Sequence, residues 1–109
     1  MVRELEKPGE PKRRGNTTTV TAGPTYSVDA RDKVILVDDD TAAQQVTVLL
    51  PATLDCKSRE LEVKKIGTTA AVVVDGNGSE TIDGATTQTI WNQYDAMQII
   101  CDGTNWWIL

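Results

Sequence analysis

The stretch Gln45-Val46-Thr47-Val48-Leu49-Leu50-Pro51-Ala52 decides the fold class. Val46, Val48 and Leu50 occupy alternate positions, so an extended chain turns all three to one face and Leu49 to the other. Pro51 carries no amide hydrogen and stops the ladder. Arg59–Ile66 repeats the pattern, with Leu61 and Val63 facing away from Glu60, Glu62 and Lys64. A period of two is the mark of strands with one buried and one wet face.

Outward from these two segments the chain reads as short strands separated by turn residues. The candidates are 17–21, 25–28, 33–37, 45–50, 59–66, 70–74, 80–82, 87–91, 96–101 and 105–109. Asp75-Gly76-Asn77-Gly78 supplies residues that accept positive φ for a reversal after the run 70–74, and Asp102-Gly103 does so near the end. Helix signals are nearly absent, apart from a possible short helical turn within 53–59. The prediction is an all-β fold: a small antiparallel β-sandwich, barrel or roll spanning 17–109, preceded by an extended N-terminal arm at 1–16.

Composition supports this. The chain has 109 residues, enough for one core, and no Phe, so the core must come from Val, Ile, Leu, Ala and the three Trp. A domain this small buries a modest share of its surface, which makes self-association a natural further source of stability. The formal charge of −5 is unevenly spread. Arg3, Lys7, Lys12, Arg13 and Arg14 outnumber Glu4, Glu6 and Glu10 in the arm, whereas the remaining residues are strongly acidic. An acidic body is a poor nucleic-acid surface, because phosphate affinity needs many Lys and Arg. The N-terminus lacks the apolar core of a secretory signal and no run is long enough to cross a bilayer, so synthesis in the cytoplasm and no membrane partner are expected.

Four stretches carry a resemblance: VTVLLPA at 46–52, LEVKKIG at 61–67, GSETIDGATT at 78–87 and CDGTNWWIL at 101–109. In this order they resemble a β-rich module found at the ends of phage tail fibres and spikes and in small phage head-decoration or head-fibre proteins. The resemblance covers most of residues 34–109. It implies a virion structural part, usually trimeric, on the outside of the particle. A fibre protein normally carries a long shaft before such a module; here the module is nearly the whole sequence, which favours a capsid decoration protein bound to the major capsid protein. The rival is a fibre or spike module that recognises a host-surface glycan.

Several groups of residues bear on chemistry. There is no His, which removes Ser-His-Asp and Cys-His catalysis. Glu80 and Asp83 could form a carboxylate-only glycosidase pair, but a solvated strand and turn explains them better. The expectation is therefore a non-enzymatic protein with no catalytic residues, no metal and no cofactor. Asp38-Asp39-Asp40 reads as a solvated turn, with a Ca²⁺ loop as the alternative; Asp75, Asn77, Ser79 and Glu80 imitate only part of an EF-hand loop. Cys56 and Cys101 lack C-x-x-C spacing and read as two buried thiols rather than a disulfide. Trp106 and Trp107 are adjacent on one strand and must point to opposite faces, so one is core and the other meets a neighbouring subunit, the shell or a sugar ring. Trp91 carries the same ambiguity. Trp91, Trp106 and Trp107 are the candidate oligomer or partner contacts, and Arg3, Lys7, Lys12, Arg13 and Arg14 the candidate capsid contacts of the arm.

Overall fold

A computed structural model of the chain describes residues 15–109. The arm cations Arg3, Lys7, Lys12, Arg13 and Arg14 lie outside the described residues. The elements in order are β1 (Asn16–Val20), β2 (Thr25–Ser27), β3 (Asp32–Val37), α1 (Asp39–Ala42), β4 (Val46–Leu49), a 3-10 turn (Thr53–Asp55), β5 (Glu60–Lys65), β6 (Val72–Asp75), β7 (Thr87–Ile90), β8 (Ala96–Cys101) and β9 (Trp106–Ile108). Asn16, assigned to the arm from sequence, is the first residue of β1, and its amide donates to the Arg31 carbonyl at 2.7 Å.

The strands form a five-stranded sheet, β1-β3-β5-β8-β9, and a four-stranded sheet, β2-β4-β6-β7. The chain alternates between the two through β6. Consecutive strands of each sheet are thus separated by a strand of the other, and β1, β3 and β5 run parallel, as do β2, β4 and β6. Each excursion through both sheets is one rung, and β1–β2, β3–β4 and β5–β6 are stacked rungs. After β6 the direction reverses: β7 and β8 pair antiparallel with β6 and β5 as a fourth rung, and β9 turns back on β8 as an incomplete last rung.

The all-β expectation holds, and the antiparallel one is corrected to two mixed sheets. Parallel neighbours need a crossover connection, and here the opposite sheet's strand supplies it. Alternation of apolar residues sets the face of a strand but is indifferent to its partner's direction.

Inward residues stack from rung to rung. In the larger sheet Ile35 faces Val63 and Val63 faces Met97, while Leu61 faces Ile99. In the smaller sheet Val46, Val72 and Ile90 form one ladder and Val48 meets Val74 in the next. These side chains are buried, as are Leu50 and Trp106. β-branched residues dominate because they are stiff and fill a pleated face well.

Two segments depart from expectation. Glu80–Ile82 is not a strand: Ile82 makes only single bridges, to Ala85 and Trp106. The reversal between β6 and β7 is accordingly longer than the Asp75–Gly78 turn alone, and Gly78, Asp83 and Gly84 all take positive φ. Asp38–Asp40 is not simply a solvated turn but the capped start of α1. Asp38 accepts the Thr41 amide at 3.0 Å and the Thr41 hydroxyl at 2.8 Å. Asp39 is wholly buried, accepting the amides of Gly67, Thr69 and Ala70 at 2.8–3.0 Å and the Lys65 ammonium at 3.3 Å. Burial alone raises its carboxyl, but the Ala70 amide and the Lys65 ammonium outweigh this and hold it below the usual aspartate range. Asp40 accepts the Thr68 amide at 2.8 Å and the Thr69 hydroxyl. Asp38 thus caps α1, and Asp39 and Asp40 tie it to the β5–β6 connection.

Candidate functional site

The two sheets differ by one strand, and the mismatch creates the candidate site. β9 extends the larger sheet beyond β8, whereas the smaller sheet ends at β7. The loop before β7 fills part of the missing position. The Trp106 amide donates to Thr81 at 2.8 Å and the Asp83 amide to the Trp106 carbonyl at 3.0 Å, while the Ile108 amide donates to the Asp83 carboxylate at 2.9 Å. This cover blunts the outer edge of β9, which would otherwise offer unpaired amides to another strand. Contact at this end therefore falls to side chains.

What the loop leaves uncovered is a groove of about 360 Å³ between the sheets, floored by Ile90, Met97 and Ile108 and rimmed by Trp91, Asn92 and Asp95. Four large apolar side chains at this end are exposed to water in whole or part: Trp91 is 72% exposed, Leu109 65%, Trp107 45% and Ile108 37%. Trp91 follows the last residue of β7 and leads into a turn fixed to β5. There the Tyr94 amide donates to the Lys65 carbonyl at 2.6 Å and the Lys65 amide to Asp95 at 3.1 Å.

The adjacent tryptophans separate as strand geometry requires. Trp106 is fully buried and belongs to the core, so of the three candidate contact residues it offers no surface to a partner. Trp107 stands opposite Ile100 on the outer face. Its indole Nε1 donates to Asp102 at 2.8 Å, and the same carboxylate accepts the amides of Thr104 and Asn105 at 2.8 Å. The Asn105 amide foremost, with the Trp107 indole and Thr104 amide, holds the Asp102 carboxyl below its ordinary range. Gly103, at φ 96°, lets the turn close. Asp102 thus orients an exposed ring, a role that the sequence reading missed; the signal available was an Asp-Gly turn five residues before a tryptophan.

Glu80 and Asp83 also have defined work. The Glu80 carboxylate accepts the Thr53 hydroxyl at 2.9 Å and the Thr53 amide at 3.1 Å, and Asp83 holds β9 as described. Both are tethers between loop and framework. Among the described residues, no three His, Cys, Asp or Glu side chains converge as a metal site, and no helix is long and apolar enough to cross a membrane. Neither a scan against models of known protein families nor a search of curated proteins finds a match for this chain.

Proposed function

We propose that this is a non-enzymatic structural protein of a tailed-phage virion, a capsid decoration protein that works as a homotrimer on the outside of the head. The observation that carries the reading is the last rung, where Trp91 and Ile108 line a groove and Trp107 and Leu109 are also exposed. Apolar side chains gathered on one end of a small domain favour an interface, where aromatic residues contribute large contact area. Self-association through this end leaves the N-terminal segment, with Arg3, Lys7, Lys12, Arg13 and Arg14, to grip the major capsid protein. A protein that binds only the assembled shell stabilises it by mass action, and several arms on one oligomer multiply the effect through effective concentration. The virion assignment draws on the four quoted motifs, which fall on β4, β5, the loop before β7 and β9. Imaging particles with and without this protein tests it: density on the head shell is expected, and density confined to the tail rejects the decoration role.

One observation favours a second reading. The groove is lined by Trp91 together with the polar residues Gln88, Asn92 and Asp95, a combination suited to stacking on a sugar ring and hydrogen-bonding its hydroxyls. In that reading the chain is a host-glycan recognition module, and Trp91→Ala abolishes binding to host polysaccharide while leaving particle attachment intact.

A further inference from the structure

Cys56 and Cys101 are both free thiols and both buried, at 7% and 1% exposure, and stand 45 positions apart in the chain. The fold brings their sulfurs to 3.5 Å, the Cys56 thiol donating to Cys101 Sγ. The backbone fixes this approach. Cys56 ends the 3-10 turn at Thr53–Asp55 and Cys101 ends β8; the Ser58 amide donates to the Cys101 carbonyl at 2.7 Å, and the Cys101 amide to the Arg59 carbonyl at 3.0 Å. Two sulfurs held 3.5 Å apart have only about 1.5 Å to close to reach the covalent separation of about 2.05 Å.

We propose that Cys56 and Cys101 are an oxidative modification site, a dithiol that a low-molecular-weight disulfide converts to an intramolecular cross-link. The Cys56 thiolate, on the more exposed of the two residues, attacks one sulfur of the small disulfide and releases a thiolate. The Cys101 thiolate then attacks Cys56 Sγ and displaces the second. The two protein thiols lose two protons and two electrons, and the small disulfide is reduced to two thiols. Burial, reinforced by the neighbouring Cys101, pushes the Cys56 thiol up to about 12, so exchange is slow near neutrality and quickens as pH rises. Entry of the reagent requires the connection between β4 and β5 to lift, a local opening rather than global unfolding. The cross-link then fastens that connection to β8 and, through Thr53, steadies the Glu80 tether of the loop that covers β9.

The test is to incubate the folded full chain with oxidised glutathione at mildly alkaline pH and follow intact mass, free thiols under denaturing conditions, and the thermal midpoint. The expected result is a monomolecular product lighter by two hydrogens, with neither of its two cysteines titratable. Its midpoint should rise by on the order of 10 °C and return on reduction. Cys56→Ser and Cys101→Ser chains should gain no such midpoint shift. Glutathione adducts without ring closure, disulfide-linked dimers, or thiols that stay unreacted while the chain is folded would each overturn the proposal.

Discussion

The middle rung and the last rung draw on the same stock of β-branched residues but differ in what lies beside them. β3 and β4 each have a strand on both sides, and their inward residues Ile35, Val37, Val46 and Val48 are wholly buried. At the last rung β9 has no strand opposite it in the smaller sheet, a loop fills half the gap, and Ile108 and Trp91 remain wet. Exposure at this end thus follows from strand count, not from a lack of apolar residues. Substitutions in the middle should strike stability and those at the end should strike association.

The largest effect is expected at the buried ion pair. Asp39→Ala leaves the Lys65 ammonium buried without its carboxylate and three backbone amides without their acceptor. Removing one partner of such a pair costs about 3–5 kcal/mol, read as a drop in the urea midpoint. Leu61→Ala, inside the stacked ladder, should cost about 2–5 kcal/mol, while Glu62→Ala on the opposite face of β5 should stay within about 0.5 kcal/mol. Equal losses at Leu61 and Glu62 would break the division of β5 into a buried and a wet face.

Acid sharpens the same contrast. Burial tends to raise the Asp32 carboxyl, but the hydroxyls of Thr18 and Tyr26, the Asp29 amide and nearby Arg59 bring it below the usual aspartate range, and Asp39 is also depressed. A carboxyl whose folded value is depressed stabilises the fold above its unfolded value, and that contribution disappears as pH falls through the folded one. The urea midpoint should therefore hold steady down to about pH 5 and fall below it, and Asp32→Asn should shrink the fall. A fall of unchanged size in that variant would remove Asp32 from the account.

Much of this was legible in the sequence. Alternation in 45–50 and 59–66 identified the inward residues, and adjacency alone required Trp106 and Trp107 to part. Parallel pairing was not legible, because Val46 faces Val72 across a sheet while an entire rung of chain lies between them. Nor could the run Asp38–Asp40 reveal that Lys65 stands against its middle member; local composition makes three carboxylates look solvated until the fold delivers a cation and amides to them. The candidate site was legible only as a set of aromatic residues. That one end stays open depends on the two sheets having different numbers of strands, a property of no single segment.

Smaller effects on stability are expected at the open end. Trp91→Ser should change folding free energy by no more than about 0.5 kcal/mol, since its ring is largely in water, whereas Trp107→Ser, which gives up a half-buried ring and its bond to Asp102, should cost about 1–2 kcal/mol. Deleting residues 1–14 should leave the thermal midpoint within a few degrees while weakening co-sedimentation with undecorated capsids; equal binding by full-length and shortened chains would move the attachment surface to the β body.

The most direct test of the account is the mass of the folded protein in solution, measured by sedimentation equilibrium at micromolar concentration for the natural sequence and for a chain carrying Trp91→Ser and Trp107→Ser together. The account predicts about three chains per particle for the natural sequence and one for the folded double variant. A natural chain that stays monomeric, or a double variant that keeps the mass of the natural one, would contradict the assignment of the open rung as the subunit interface.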